Sequence, residues 1–250
     1  GRITFAEFMD LALYWPGGGY YTNPENIGPQ GDFYTAPSAH PAFGALLCLQ
    51  IYQMWLRSGC PAAFWVVELG AGTGSLSHDL MAYAGHLPRG FAGSLRYLCL
   101  DRYSRSGLEA TLPQGTRRAV DRISCQGVPL SGVAGCVLSN ELVDAFPVHR
   151  VTAQGGALQE VYVTLEEDRL VEVLDRPSTL DLQARLDSLG VTLQEGATGE
   201  INLATESWMH RIASALDWGY LITVDYGGPA EQIYSLERGR GTLTSFYKHT

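Results

Sequence analysis

The stretch VVELGAGTGSL, residues 66–76, constrains the fold of this chain more than any other segment. An apolar run leads into Glu68, and Gly70, Gly72 and Gly74 follow before a second, apolar-periodic run begins. This order is typical of a strand, a tight turn and a helix, the unit that opens a nucleotide-binding α/β fold. Alternating glycines let the backbone take positive φ and let a ligand approach the main chain. The segment therefore predicts a cofactor-binding loop, and a glycine-rich turn without a ligand is the alternative.

Three classes of ligand compete for such a loop. A P-loop needs Lys followed by Ser or Thr after its last glycine, whereas Ser75 and Leu76 follow here. The dinucleotide fingerprint has its third glycine three positions after the second, and Ser75 occupies that position. The carboxylate of Glu68 would repel a pyrophosphate, but it suits the sulfonium and ammonium charges of S-adenosylmethionine. The spacing E-x-G-x-G-x-G therefore favours S-adenosylmethionine as the cofactor and methyl transfer as the function.

Composition narrows the class of protein. The chain has 250 residues, of which 46% are hydrophobic and 17% charged, as in a globular protein with one large domain or one domain with an insert. The formal net charge of −9 disfavours nonspecific nucleic-acid binding and suits a cationic partner. No apolar run reaches the length of a membrane span. The cysteines form no C-x-x-C pair and the histidines have no metal-ligand spacing, so we predict a reduced compartment and no metal.

Strand-like and helix-like segments alternate over residues 64–140, which predicts a parallel sheet with helical crossovers. The predicted elements are strand 64–69, helix 75–84, strand 95–101, helix 104–111, a weak strand at 119–124 and strand 135–140. Earlier in the chain the patterns predict a helix at 3–15, a loop at 20–37 and a helix at 41–57. Thr4 and Glu7 have the spacing of a capping box for the first helix.

The alternation breaks after residue 147. Period-two segments around Gly155 and Gly156 predict an antiparallel insert. The later predicted elements are a helix that Gly190 stops, a helix at 203–217 with Asn202 as its cap and Gly219 beyond its end, a strand at 220–227 and a strand in the tail. The predicted segments are an N-terminal helical segment with an aromatic loop (1–63), a Rossmann-like cofactor-binding core (64–147), an insert (148–200) and the remainder of the core (201–250).

In a doubly wound sheet a ligand lies at the carboxyl ends of the strands, where the strand order reverses. Asp101 ends the second strand, 27 residues beyond the last loop glycine, so its carboxylate is expected to hold ribose hydroxyls. Asn140 and Glu141 end the next buried strand, and Asp144 follows three residues after Glu141. Carboxylates at this edge match the planar fork of a guanidinium. We expect Glu141, Asp144 and Asn140 to be catalytic; an ordinary helix cap at Asn140 or Asp144 is the alternative.

Several segments of the chain resemble, in this order, the MidA-like methyltransferases. They are ITFAEFMDLALYWPGGGYYT, GDFYTAP with Phe43-Gly44, VVELGAGTGSL, SNELVDAFPVHR, EIN at 200–202 with Trp208, VDYG, and GTL with His249. The resemblance covers essentially the whole chain. The family is S-adenosylmethionine-dependent and includes a mitochondrial member that symmetrically dimethylates an arginine of a respiratory complex I subunit. A protein arginine is therefore the expected methyl acceptor, with a small molecule as the alternative.

This resemblance implies a class I methyltransferase: a Rossmann-like, doubly wound α/β sheet with an N-terminal helical segment and a β-rich insert. S-adenosyl-L-methionine is expected to lie across the glycine loop, Asp101 and the GDFYTAP loop. In that loop Asp32 and Thr35 are the expected contacts, although a plain turn would also explain Asp32. Asn140 is expected to touch the cofactor as well as the substrate. The expected compartment is the cytoplasm, or the mitochondrial matrix if the protein is eukaryotic.

The chain also departs from the family. Relatives carry glutamate, serine and glutamine between TAP and FG, where this chain has SAHPA at 38–42. Asp101 stands where glutamate is commoner, and the family continues beyond the GTL segment, so the chain is expected to be incomplete at its C-terminus. These departures bear on the substrate more than on the cofactor. Two rival functions stay open: a small-molecule N- or O-methyltransferase, and a non-catalytic assembly factor that keeps the cofactor fold.

Overall fold

The computed structural model describes residues 1–23, 26, 31–33, 35–103 and 120–245. The first elements are β1 (Ile3–Thr4), α1 (Phe5–Tyr14), a 3₁₀ turn (Tyr20–Thr22), α2 (Ala36–Ala39), α3 (Ala42–Arg57), β2 (Phe64–Leu69), α4 (Ser75–Ala84), α5 (Arg89–Ser94), β3 (Leu95–Asp101) and β4 (Val120–Ser124). They are followed by β5 (Val133–Asn140), β6 (His149–Gln154), β7 (Ala157–Glu166), β8 (Arg169–Asp175), α6 (Asp181–Ser188), β9 (Thr198–Ile201), α7 (Ala204–Ala215), β10 (Leu216–Val224), α8 (Ala230–Ile233) and a 3₁₀ turn (Leu236–Arg238).

Residue contacts divide the chain into two compact units. The core unit comprises the described residues of Pro24–Leu142 together with Trp208–Asp225. The insert unit comprises Gly1–Asn23, Val143–Ser207 and Tyr226–Ser245. This grouping differs from the four segments expected from the sequence, because the N-terminal helix joins the insert. The bounds of those four segments stay a prediction.

The core unit contains a parallel sheet with the strand order β10-β5-β2-β3-β4. From β2 the chain moves outward to β3 and β4, and it then returns to the other side of β2 with β5 and β10. The strand order therefore reverses between β2 and β5, where Leu69 pairs with Ser139. Ligands bind beside such a reversal, at the carboxyl ends of the strands. The predicted parallel α/β sheet is confirmed, and the glycine loop that follows β2 lies at the reversal.

Burial explains why the strands of this sheet are apolar. Most residues of β2, β3 and β5 are buried, and these strands read as nearly continuous apolar runs, as parallel strands covered on both faces do. Their side chains pack with those of α3, α4 and α5 in one cluster. Its large, fully buried members include Ile51, Phe64, Leu80, Phe91, Leu95 and Leu138. This packing holds the ends of β2, β3 and β5 in fixed positions relative to one another.

The junction of α7 and β10 differs from the prediction. The helix expected at 203–217 ends at Ala215, and β10 begins at the next residue. Gly219, expected beyond the helix end, lies inside β10 with φ +136° and pairs with Gly135 of β5. A Cβ on Gly219 would lie 1.9 Å from the Gly135 carbonyl oxygen, so the close approach of the two strands requires glycine. The strand expected at 220–227 ends at Val224.

The insert unit contains an antiparallel sheet in which β7 pairs with β1, β6 and β8, and β6 also pairs with β9. Gly155 and Gly156 form the predicted turn between β6 and β7. At the start of α1 the predicted capping box is present, since the Thr4 hydroxyl accepts from the Glu7 N–H and Glu7 Oε2 accepts from the Thr4 N–H. The core of this unit comprises Val151, Leu182, Leu186, Leu193 and Ile201.

The sequence patterns did not predict several short elements, which are α5, α8, β1, β9 and the 3₁₀ turn Leu236–Arg238. The loop expected at 20–37 contains a 3₁₀ turn, Tyr20–Thr22, and α2 begins at its end, at Ala36. The helix expected at 104–111 lies outside the described residues, and the described part of the tail, 241–245, forms no strand.

Where the structure describes the chain, no helix is long and apolar enough to cross a membrane. The same residues contain no cluster of three His, Cys, Asp or Glu side chains that could hold a metal ion.

Candidate cofactor site and active site

The glycine loop links β2 to α4 by a tight backbone path. The N–H of Gly70 donates to the Leu100 carbonyl oxygen at 2.8 Å, which fixes the loop to the end of β3. Gly72 has φ +52°, and the nearest described atom to a Cβ built there would be the Gly70 carbonyl oxygen, at 3.9 Å. Gly74 begins α4 with φ +80°. One face of the loop at Gly72 is therefore open to the close approach of a ligand.

Glu68, near the end of β2, is 4% exposed. Its Oε2 accepts a 2.8 Å hydrogen bond from the Tyr97 hydroxyl and lies 3.8 Å from the Cys99 sulfur. Burial raises the pKa of Glu68 to about 7, although the hydrogen bond from Tyr97 and the positive charge of Arg122 act in the opposite direction. The carboxyl group therefore changes charge near neutral pH. Its role beside a cationic cofactor stays a prediction.

Asp101, at the end of β3, is bonded to the glycine loop. Its Oδ2 accepts a 2.7 Å hydrogen bond from the Gly72 N–H, and its Oδ1 accepts a 3.0 Å hydrogen bond from the Tyr103 N–H. A carboxylate has about four acceptor positions, so Asp101 can accept ligand hydroxyls in addition. The acid expected to bind ribose thus lies directly against the loop expected to bind the cofactor.

Arg122, in β4, is a site residue that the sequence patterns did not single out. Its Nη2 donates to the Gly72 carbonyl oxygen and lies 4.0 Å from Asp101 Oδ2. Its Nε and Nη1 are buried and have no hydrogen-bond partner among the residues that the structure describes. The available signal was a charged residue within a strand of the predicted parallel sheet. The strand that contains Arg122 was itself only weakly predicted, at 119–124, so the sequence did not single out this arginine.

Asn140 and Glu141 lie where β5 ends, beside the reversal of strand order. Glu141 has φ +47°, a left-handed conformation that costs a non-glycine residue about 1–3 kcal/mol. Its N–H donates to the Val224 carbonyl oxygen at 2.8 Å, which anchors the turn to β10. Glu141 Oε1 accepts from the Asn140 side-chain amide and from the Ala36 N–H, both at 3.3 Å. Asn140 Oδ1 is buried, and no described residue donates a hydrogen bond to it.

Two contacts join the end of β5 to the TAP segment (residues 35–37) and to the glycine loop. Thr35 precedes Ala36 at the start of α2, so the hydrogen bond from Ala36 to Glu141 brings the TAP segment to the end of β5. A Cβ on Gly70 would lie 2.8 Å from Leu142 Cδ1, so the glycine loop packs directly against the residue after Glu141. The glycine loop, the TAP segment and the end of β5 therefore form one neighbourhood within the core unit.

For two of the predicted residues the contacts do not decide a role. The N–H of Asp32 donates to the Asn26 carbonyl oxygen at 2.8 Å, which is a loop contact. Asp144 is exposed and belongs to the insert unit, whereas Glu141 belongs to the core unit. The cofactor contact of Asp32 and the joint action of Asp144 with Glu141 stay predictions.

The charges and shape of this neighbourhood fit S-adenosylmethionine. Asp101 offers acceptors for ribose hydroxyls, and the open face of Gly72 leaves space against the main chain. Glu68 and Asp101 lie close enough to Arg122 to interact with its charge, and Glu141 adds a further carboxylate at the end of β5. Acids outnumber basic groups among these residues, so the site suits a ligand with positive charge. A pyrophosphate would meet these carboxylates unfavourably.

Comparison with known proteins agrees with this geometry. A family model described as "Putative S-adenosyl-L-methionine-dependent methyltransferase" matches residues 46–250. The chain is 28% identical to the mitochondrial protein arginine methyltransferase NDUFAF7 of Rattus norvegicus, with 100% of this chain and 60% of that protein covered. It is 29% identical to the NDUFAF7 homolog of Drosophila melanogaster, with 91% and 57% covered. The chain therefore spans about 60% of the length of these relatives.

A solved structure is also similar. It is a COG1565 superfamily member from Burkholderia thailandensis bound to S-adenosyl-homocysteine, with a TM-score of 0.87 and 29% identity. The match covers 100% of this chain and 65% of that chain. The class I methyltransferase fold and the S-adenosylmethionine cofactor predicted from the sequence are confirmed by these matches.

Proposed function

The chain belongs to that family of S-adenosyl-L-methionine-dependent methyltransferases, and we propose that it methylates an arginine side chain of a protein. The observation that carries the proposal is a pair of acceptors at the end of β5. Asn140 Oδ1 is buried without a partner among the described residues, and the Glu141 carboxylate lies beside it. A buried acceptor without a donor destabilises a protein, so its retention points to a ligand that donates.

A guanidinium is the ligand that such a pair accepts best. It has five N–H donors and no acceptor, and its planar fork bonds to a carboxylate through two parallel hydrogen bonds. The left-handed backbone of Glu141 and its hydrogen bond to Val224 hold the carboxylate in place before a ligand arrives. Such preorganisation orients a nucleophilic nitrogen, and positioning contributes much of the acceleration of a bimolecular reaction.

The cofactor has its own set of residues in this proposal. Asp101 holds the ribose hydroxyls, and Gly70, Gly72 and Gly74 leave room for the cofactor against the main chain. S-adenosylmethionine, when bound, would supply a methyl group whose bond to the sulfonium sulfur breaks as a nitrogen lone pair bonds to the methyl carbon, with S-adenosylhomocysteine as the leaving group. The nitrogen must lose a proton as it is methylated, and in this proposal the Glu141 carboxylate accepts that proton. Asp144 is proposed to assist Glu141.

The relatives support this choice of substrate, since they are named protein arginine methyltransferases. The net charge of −9 is consistent with a cationic protein as the partner. Because the relatives are named as mitochondrial, we propose the mitochondrial matrix as the compartment if the protein is eukaryotic, and otherwise the cytoplasm.

The test uses the full chain with S-adenosylmethionine, arginine-containing peptides and a pool of small metabolites, and it reads the products by mass spectrometry. The expected result is methylated arginine in the peptides. Glu141→Gln keeps the side-chain shape and removes the charge, so we expect near-normal melting temperature and S-adenosylmethionine affinity with methyl transfer strongly reduced. Glu167→Gln is the matched control, because exposed Glu167 also has a left-handed backbone, with φ +46°.

Other outcomes separate the rival functions. Methylation confined to the metabolite pool would indicate a small-molecule methyltransferase. Cofactor binding without any formation of S-adenosylhomocysteine would favour a non-catalytic assembly factor. Full activity of Glu141→Gln on the methylated peptide would remove Glu141 from the catalytic role, and a loss of cofactor affinity would place it in the cofactor site instead.

A further inference from the structure

Arg122 places a buried guanidinium beside the acid that is expected to hold ribose. One of its nitrogens, Nη2, is used by the protein, since it donates to the Gly72 carbonyl oxygen. Gly72 in turn donates its N–H to Asp101, so Arg122, Gly72 and Asp101 form one connected cluster at the glycine loop. The other two nitrogens, Nε and Nη1, have no hydrogen-bond partner among the described residues although both are buried.

Unpaired donors of this kind need an explanation. A guanidinium stays charged at every relevant pH, and a buried N–H of a charged group without an acceptor is costly. The adjacent carboxylate lies 4.0 Å from Nη2, which compensates the charge but gives Nε and Nη1 no acceptor. A ligand in the site could supply the acceptors that the described residues do not.

The chemistry of the neighbours favours a hydroxyl as this acceptor. A hydroxyl group donates one hydrogen bond and accepts others. A ribose hydroxyl that donates to Asp101 therefore turns its oxygen lone pairs outward, where a guanidinium within a few ångströms can donate to them. An arginine at this edge also serves the 2′-phosphate of NADP in dinucleotide-binding folds, but here Asp101 would repel a phosphate.

We propose that Arg122 is a second ribose-binding residue, whose free donors bond to the ribose hydroxyl that donates to Asp101. The inference deepens the proposed function and depends on it, because it concerns the same cofactor site. The same hydroxyl would then accept a hydrogen bond from Arg122 and donate one to Asp101. The cofactor's ribose would be recognised by the pair and not by the acid alone.

Calorimetry on the full chain tests this with three ligands: S-adenosylhomocysteine and its 2′-deoxy and 3′-deoxy forms. Arg122→Met keeps most of the side-chain length and removes the donors. We expect it to weaken S-adenosylhomocysteine binding about tenfold, the effect of one good hydrogen bond from a charged group. For one of the two deoxy forms we expect Arg122→Met to lower the affinity by less than about threefold, because that ligand lacks the hydroxyl that Arg122 would bind. Arg96→Met, at an exposed arginine near the start of β3, is the control and should change none of the three affinities.

The alternatives give different results. If Arg122 only supports the loop through Gly72, its replacement would lower the affinity for all three ligands by the same factor. That result would overturn the inference. Unchanged affinities in Arg122→Met would overturn it as well, while the proposed function would stand because the wild type still binds. A wild-type chain that binds none of the three ligands would overturn the proposed function together with this inference.

Discussion

The Tyr97 hydroxyl donates a 2.8 Å hydrogen bond to Glu68 Oε2, and both side chains are buried on neighbouring strands of the parallel sheet. The same burial raises the pKa of both groups: that of Glu68 to about 7 and that of Tyr97 well above its ordinary value. Tyr97 therefore stays a donor at neutral pH, whereas Glu68 exchanges a proton there. The strand that leads into the glycine loop thus carries a titratable group whose charge depends on conditions near neutrality.

This relationship makes stability depend on pH. The pKa of Glu68 rises from an ordinary 4.5 to about 7 in the folded protein, so between these values the folded state binds more protons than the unfolded state. Stability from this group is present below about pH 4.5 and is lost as the pH rises through about 7, by up to about 3 kcal/mol. Urea unfolding at pH 5 and pH 8 should show this loss in the wild type and much less of it in Glu68→Gln. The control Glu167→Gln should keep the wild-type slope, and equal slopes in all three proteins would contradict the assignment.

Replacement of Asp101 should weaken cofactor binding, whereas replacement of an exposed acid in the adjacent strand β4 should not. Asp101→Ala removes the expected ribose acceptor and the bond to the Gly72 N–H, so we expect cofactor binding to weaken by roughly 1.5–3 kcal/mol, about ten- to a hundredfold. Calorimetry with S-adenosylhomocysteine measures the change. Asp121→Ala, an exposed acid in β4, should leave the dissociation constant unchanged. An unchanged constant in a folded Asp101→Ala protein would make Asp101 an ordinary turn residue.

A comparison of Gly72→Ala with Gly155→Ala distinguishes the cost of backbone strain from the loss of space for the ligand. Gly72→Ala and Gly155→Ala both place a Cβ on a residue with φ of +52° and +63°, so each should lose about 1–2 kcal/mol of stability. In Gly72→Ala the methyl group also enters the open face of the loop, and S-adenosylhomocysteine should bind at least about tenfold more weakly. Gly155→Ala, in the β6–β7 turn, should bind it normally. Equal affinities of the two variants would show that the cofactor does not touch the loop at Gly72.

Gly219 tests the contact between β10 and β5. Its substitution by Ala would place a Cβ 1.9 Å from the Gly135 carbonyl oxygen, a clash that only a shift of the strands can relieve. We expect Gly219→Ala to destabilise the protein by about 3 kcal/mol or more. Gly127 also has a positive φ, +80°, but no described atom lies within 4 Å of a Cβ built there, so Gly127→Ala should lose only about 1–2 kcal/mol. Thermal unfolding compares the two, and equal losses would mean that the strands are not in this register.

Much of the core unit could be predicted from the sequence because its signals are local. The glycine spacing after β2, the continuous apolar runs of parallel strands and the acids at strand ends each depend on a few consecutive residues. Parallel topology then brings strand ends together, so Asp101 and Glu141 could be predicted as members of one edge. The end of α7 was predicted wrongly because Gly219 looks like a helix stop in sequence and is needed for strand contact instead.

By itself the sequence determined the strand, loop and helix around Gly70, Gly72 and Gly74, and the placement of acids at the carboxyl ends of the strands, where ligands bind in sheets of this kind. Only the tertiary structure decided which groups those acids meet. Tyr97 reaches Glu68, Arg122 reaches Gly72 and Asp101, and Ala36 reaches Glu141 across separations of 21 to 105 residues. Such contacts leave no periodic trace, because they depend on the order of strands in the sheet and on side-chain packing between them. The pKa of Glu68 and the unpaired donors of Arg122 follow from that packing, and so they became visible only once the chain was folded.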